Sequence, residues 1–187
     1  MTSNVSCVWK QLSPASIPAH LAARSSHCLS VLNGRAYIFG GELEPRKPIG
    51  SELIVLDLKG ERAAAARVLE ADHLRAWPCA RVGAAMVAHP PSKSLYLWGG
   101  RGGKEMKAID VKTGNDEEGG QIDDVWRFDV EGEVWEKLST HSSDASGSAF
   151  PEARSFHTMA ASGDSLYVHE GCPSKGAYEM RIFNAQW

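Results

Sequence analysis

The stretch RSSHCLSVLNGRAYIFGGELEPRKPIGSELIVLDL, Arg24 to Leu58, decides the fold. Ser26 to Leu32 alternates: His27, Leu29 and Val31 point one way and Cys28 and Ser30 the other, a period of two that suits a strand. Asn33-Gly34 tolerates the positive φ angles of a two-residue hairpin loop. Arg35 to Phe39 supplies the returning strand, and Gly40-Gly41 ends it where a side chain would crowd a neighbour or forbid the backbone angle. A polar loop with Pro45 and Pro48 leads to Glu52–Leu58, which is apolar on both faces and too short for a typical helix. Such a run reads as a strand covered on both sides.

The signposts of this stretch return twice. Arg81 opens a second copy with Gly99-Gly100 and a third strand from Val125 to Val130. Arg154-Ser155-Phe156-His157 opens a third copy, with Tyr167-Val168, then Glu170-Gly171 in place of a glycine pair, then a strand from Arg181 to Asn184. The opening arginine precedes the strand tyrosine by 37 − 24 = 13 residues in the first copy and 167 − 154 = 13 in the third. In the second copy the spacing is 96 − 81 = 15, the extra two residues falling in the turn His89-Pro90-Pro91-Ser92. Spacing that holds while turns absorb insertions is the mark of a shared three-dimensional unit.

Composition bounds what such an array does. A chain of 187 residues fits one ordinary domain with ample apolar content for a core. A net charge of −3 without a basic helix or an aromatic-basic stripe argues against nucleic acid. Cys7, Cys28, Cys79 and Cys172 are scattered without Cys-x-x-Cys spacing and read as reduced, packed thiols. The opening MTSNVSCVWKQL lacks the basic start and apolar stretch of a signal peptide, and no run is long enough to span a bilayer. A soluble cytoplasmic protein with no membrane partner is the expectation, the nucleus being left open.

The remaining segments fall around the repeat. Residues 5–12 resemble a lone outer strand with Trp9 as its large residue; Trp135 and Leu138 repeat the spacing of Trp9 and Leu12, so each full unit has a fourth strand. Gly60–Trp77 is alanine-rich and open to a short helix, with Arg67-Val68-Leu69 as the strand candidate. Gly102–Gln121 is a charged insertion whose Asp116-Glu117-Glu118 reads as a solvated loop tip. Ser139–Ala149 is Ser-rich linker.

Four-stranded antiparallel units of about 50 residues carrying a Gly-Gly signature are blades of a β-propeller. Arg24-x-x-His27, Gly40-Gly41, Asp57 and Trp135 resemble kelch repeats. The fold expected is all-β: an incomplete kelch-type β-propeller of three four-stranded antiparallel blades plus the stray N-terminal strand. Its units fall at about 24–70, 81–138 and 154–187 within one domain, 1–187. Three units fall short of the four to eight that close a ring, which points to a truncated relative with open blade faces available for self-association.

A narrower likeness lies in RSSH…FGGELEP (24–45), LYLWGGR (95–101) and PEARSFHTMA (151–160). These stretches resemble the nitrile-specifier and epithiospecifier kelch proteins and their fungal relatives. The resemblance implies action on the unstable aglycones released from glucosinolates, with ferrous iron held by a Glu-x3-Asp-x3-His pattern. That pattern occurs nowhere in the 187 residues, so no metal ligand and no catalytic residue is assigned; iron is implied only where further blades are present. The resemblance also implies that Arg101, directly after Gly100, matches an arginine near the substrate sulfate, a task suited to a forked guanidinium.

If strands alternate direction within a blade, the start of strand one and the end of strand two share a face. Arg24, Arg81 and Arg154, the glycine pairs, and the loops 42–51 and 101–122 then lie together. Loop faces on rigid sheets are where binding residues accumulate, so Arg24, Glu42, Arg81, Arg101, Arg154 and His157 are the candidate partner-binding residues. Arg24, His27, Arg154 and His157 also recur as part of the repeat, which hydrogen bonds between neighbouring blades would explain. The function expected is a non-catalytic kelch-repeat scaffold for a protein partner or small-molecule ligand, the alternative being an iron-dependent nitrile-specifier-like protein.

Overall fold

The structure is a computed structural model and describes residues 6–9, 23–59, 66–72, 74–102, 124–138 and 153–173. Its regular structure is β-strand apart from one short 3-10 turn. In the first unit, β1 (Cys28–Leu32) and β2 (Arg35–Phe39) form a hairpin closed by Asn33 and Gly34, both at positive φ. The loop after β2 contains its own small hairpin, β3 (Glu42–Glu44) with β4 (Lys47–Pro48), which the two prolines had hidden. β5 (Leu53–Asp57) and β6 (Ala66–Leu69) complete a four-stranded antiparallel sheet in the order β1-β2-β5-β6. The alanine-rich segment therefore yields a strand at Arg67-Val68-Leu69, because a pairing edge on β5 outweighs alanine's helix preference.

The second unit repeats this with β7 (Ala85–His89), the 3-10 turn Pro90–Ser92, β8 (Ser94–Trp98), β9 (Val125–Asp129) and β10 (Val134–Leu138), ordered β10-β9-β8-β7. The third unit opens with β11 (Arg154–Ser155), the hairpin β12 (Thr158–Ser162) and β13 (Ser165–His169), and β14 (Cys172–Pro173), which pairs back onto β11. The strand expected at Arg181–Asn184 and the insertion 103–123 lie outside the described residues. Residues 6–9 are in no strand and pair with none of the described residues, and Val8 and Trp9 are exposed. The rest of 5–12 lies outside the described residues.

Two seams hold the blades together. In the first, Tyr37, Phe39, Leu53 and Val55 face Leu95, Leu97, Trp126, Phe128 and Trp135, with the Phe128 and Trp135 rings 5.0 Å apart. In the second, Tyr96, Trp98 and Val125 face Leu166 and Val168. Each fully buried large side chain contributes about 1.5–3 kcal/mol, so these seams are the core of the array. Leu29 and Val31, on the other face of β1, stay half-exposed.

The same two backbone bonds stitch both seams. Gly41 N–H donates to Arg81 O at 2.9 Å and Gly83 N–H to Ser26 O at 2.8 Å; one unit on, Gly100 N–H donates to Arg154 O at 2.9 Å and Phe156 N–H to Gly83 O at 2.7 Å. The first glycine of each pair makes room for this approach. A Cβ on Gly40 would sit 2.4 Å from Arg81 O, and one on Gly99 would sit 2.6 Å from Arg154 O. Both also have left-handed φ, +66° and +69°, which glycine adopts without steric cost.

Candidate functional site

The glycine pairs and the opening arginines meet at one end of the blades. Ser25 bridges Glu42, Val82 bridges Arg101, and Ser155 pairs with Cys172, so each unit closes on itself one residue after its arginine and one after its glycine position. The arginine side chain braces that closure. Arg24 Nη1 donates to Gly40 O at 2.9 Å, Arg81 Nη1 to Gly99 O at 3.1 Å, and Arg154 Nη1 to Glu170 O at 3.2 Å. Each of these three bonds lies within its own unit, while the Arg81 and Arg154 carbonyls accept across the seam.

Arg81 is fully buried and its charge is answered locally. Its Nη1 lies 2.8 Å from Asp124 Oδ1, its Nη2 3.4 Å from Oδ2, and its Nε donates to Cys79 O at 3.1 Å. The Trp126 indole N–H also donates to Asp124. Burial alone would raise the Asp124 carboxyl, but the Arg81 guanidinium and these hydrogen bonds outweigh it and hold it below the usual carboxylate range. Arg81 is therefore a buried structural cation rather than a surface one. Asp124 immediately precedes β9 as Glu52 precedes β5, a parallel visible in the sequence as an acid at the head of each third strand.

Glu42 organises the small hairpin. Its Oε2 accepts from the Arg46 backbone N–H at 2.7 Å and its Oε1 from Ser26 Oγ at 3.5 Å. Arg24 is half-buried, and burial lowers its guanidinium pKa while the neighbouring Glu52 carboxylate acts the other way. His27 is exposed by comparison with His157, which is buried with its ring 4.7 Å from that of Trp98 in an edge arrangement. Burial, and then the nearby Arg154, push the His157 imidazole down to about 4.

Arg101 differs from the buried arginines. It is partly exposed, and its Nη2 touches the Cys172 carbonyl of the third unit at 3.5 Å, the outer limit of a hydrogen bond. Beside it stands a residue that pattern reading missed. Phe156 has φ 58°, an outlier for a bulky side chain, and its half-exposed ring lies over Gly83. The Arg101 main chain pairs with Val82, and the Phe156 ring covers the adjacent Gly83. Among the described residues no three His, Cys, Asp or Glu side chains converge as metal ligands.

Comparison with known proteins fits this architecture. The chain is 33% identical over 163 residues to the N-(sulfonatooxy)prop-2-enimidothioate sulfolyase of Thlaspi arvense, an alignment covering 87% of this chain and 39% of that protein. The solved structure of YjhT superposes with a TM-score of 0.59 at 18% identity, covering 88% of this chain and 37% of that one, a likeness of fold alone. The chain thus spans about two fifths of the length of these relatives. No helix among the described residues is long and apolar enough to cross a membrane. Residues 26–186 match the KLHDC2/KLHL20/DRC7 kelch-repeats domain, and the chain belongs to that kelch-repeat family.

Proposed function

We propose that this chain is a non-catalytic kelch-repeat scaffold whose loop face holds a protein partner or a small-molecule ligand bearing an oxyanion. What carries the reading is the division among its arginines. Arg81 and Arg154 are fully buried and bonded to glycine-position carbonyls, whereas Arg101 is partly exposed, its main chain paired with Val82 next to the Gly83 that the half-exposed Phe156 covers. A planar guanidinium forks onto sulfate-type oxygens, and a neighbouring ring gives the apolar part of a ligand somewhere to stack. The name of the Thlaspi arvense relative specifies a sulfonatooxy group, the chemistry this pair would recognise. The half-exposed Leu29 and Val31 offer a second surface, for another copy of the chain, read by light scattering on the same samples.

Calorimetric titration of the 187-residue chain with allyl glucosinolate, a sulfated thioglucoside, tests the ligand reading. Arg101→Ala should weaken binding roughly 10- to 100-fold, the value of a lost charged hydrogen bond. Affinity unchanged by that substitution would remove Arg101 from the site.

The second reading, iron-dependent diversion of glucosinolate aglycones to nitriles, draws on the same relative. The residues do not fit the metal: the sequence has no Glu-x3-Asp-x3-His pattern, and no step is routed through iron. Nitrile formation above a no-protein control, with a thioglucosidase, a glucosinolate and ferrous iron, would favour this reading over the scaffold.

A further inference from the structure

At the opposite end of the blades, the turn between β7 and β8 meets the β12–β13 turn of the third unit. His89 Nε2 lies 2.9 Å from Gly163 O. A carbonyl oxygen only accepts, so in the neutral ring Nε2 carries the hydrogen and Nδ1 presents a lone pair. Ser92 Oγ sits 2.7 Å from that Nδ1 and therefore donates its hydroxyl hydrogen to it. The competing acceptor, His89 O, is 3.4 Å away, at the limit of a hydrogen bond. Tyr96 OH stands 3.5 Å from the same Oγ, and its ring packs edge-on against the imidazole at 6.0 Å. His89 is buried and Ser92 is partly exposed, so the base is fixed while the hydroxyl can be reached.

A hydroxyl on a base that a third group orients is the arrangement of an activated nucleophile. The main chain selects this tautomer, and the rest of the turn limits turnover. The 3-10 turn uses its own donors: Pro90 and Pro91 have no N–H, Ser92 N–H closes the turn onto His89 O, and Lys93 N–H is bonded to Pro90 O. With every backbone N–H of residues 90–93 engaged in the turn, a tetrahedral intermediate is poorly stabilised, so an adduct once formed would persist.

We propose that Ser92 is an activated serine, with His89 as its general base, that accepts one acyl or phosphonyl group from an activated donor. Ser92 Oγ forms a bond to the carbonyl carbon or phosphorus as the leaving group departs with its bonding electrons. The hydroxyl proton passes to His89 Nδ1 and from there to water or the leaving group.

Labelling the 187-residue chain with an alkyl fluorophosphonate, read by intact mass and peptide mapping, tests this. One adduct at Ser92 is expected, none on Ser92→Ala, and labelling about 100-fold slower on His89→Asn, the usual contribution of a general base. The urea-unfolded wild-type chain, in which the two residues part, should lose the selectivity; this arm does not depend on any variant folding. No adduct, adducts spread over other serines, or a rate indifferent to His89→Asn and to urea would each overturn the proposal.

Discussion

Asp124→Asn should destabilise the chain by about 3–5 kcal/mol, the usual consequence of removing one partner from a buried ion pair. The side chains of Arg81 and Asp124 are 0% and 8% exposed, so the guanidinium left behind has no access to water. It cannot shed its charge either, because arginine stays protonated under all ordinary conditions. The loss should appear as a lower urea midpoint with unchanged slope, since the same surface is exposed on unfolding. Glu52→Gln, at the equivalent place beside the half-buried Arg24, should cost far less, because water can solvate that arginine. Equal effects at the two sites would contradict the account of Arg81 as a buried structural cation.

Stability should fall as the pH is lowered from about 6.5 to about 4, and His157 should be responsible for most of the fall. Its folded pKa, about 4, lies below the ordinary 6.5, because burial and then Arg154 disfavour the imidazolium. Above 6.5 the ring is neutral in both states and contributes no pH dependence. As the pH drops below 6.5 the unfolded chain takes up the proton and the folded chain does not, so unfolding is favoured progressively until the folded ring also titrates. A separation of this size corresponds to about 3 kcal/mol. His27 is shifted in the same direction by burial and Arg24, and adds a smaller slope in the same window. Asp124, depressed by Arg81, acts later: its contribution is present at neutral pH and is lost only as the pH falls below the usual carboxylate range. Urea midpoints at pH 7.5, 5.5 and 4.5 for the wild type and for His157→Gln should separate these contributions. A wild-type slope that His157→Gln leaves intact would show that another group governs the window.

The repeat was legible because its marks are side chains with steric or hydrogen-bonding duties. Gly40 and Gly99 admit a carbonyl of the next blade, and Arg24, Arg81 and Arg154 brace the turn that presents it, so spacing alone found all three units. The unit-closing pairs were invisible because the main chain makes them: Ser25, Val82 and Ser155 occupy one role that valine fills as well as serine. Phe156 escaped notice for a related reason. Its position is filled by Ser26 and Gly83 in the other units, all three at positive φ, so only the backbone angle recurs. Asp124 could have been found, since an acid precedes the third strand in both full units. Glu42 was picked for its loop position, and the structure gives it a local task, holding the hairpin that Pro45 and Pro48 disguised.

What joins the site to the fold is the pair of stitched seams, since these set blade beside blade and bring the Phe156 ring over Gly83, the neighbour of the Val82 that Arg101 pairs with. Residue-resolved amide hydrogen exchange reads the seams directly. Gly41, Gly83, Gly100 and Phe156, whose N–H groups cross between units, should be protected to a degree comparable with the central strands β2 and β8. Exchange of these four at the rate of solvent-exposed turn amides, while the strands stay protected, would show hairpins folding without docking into a stacked array.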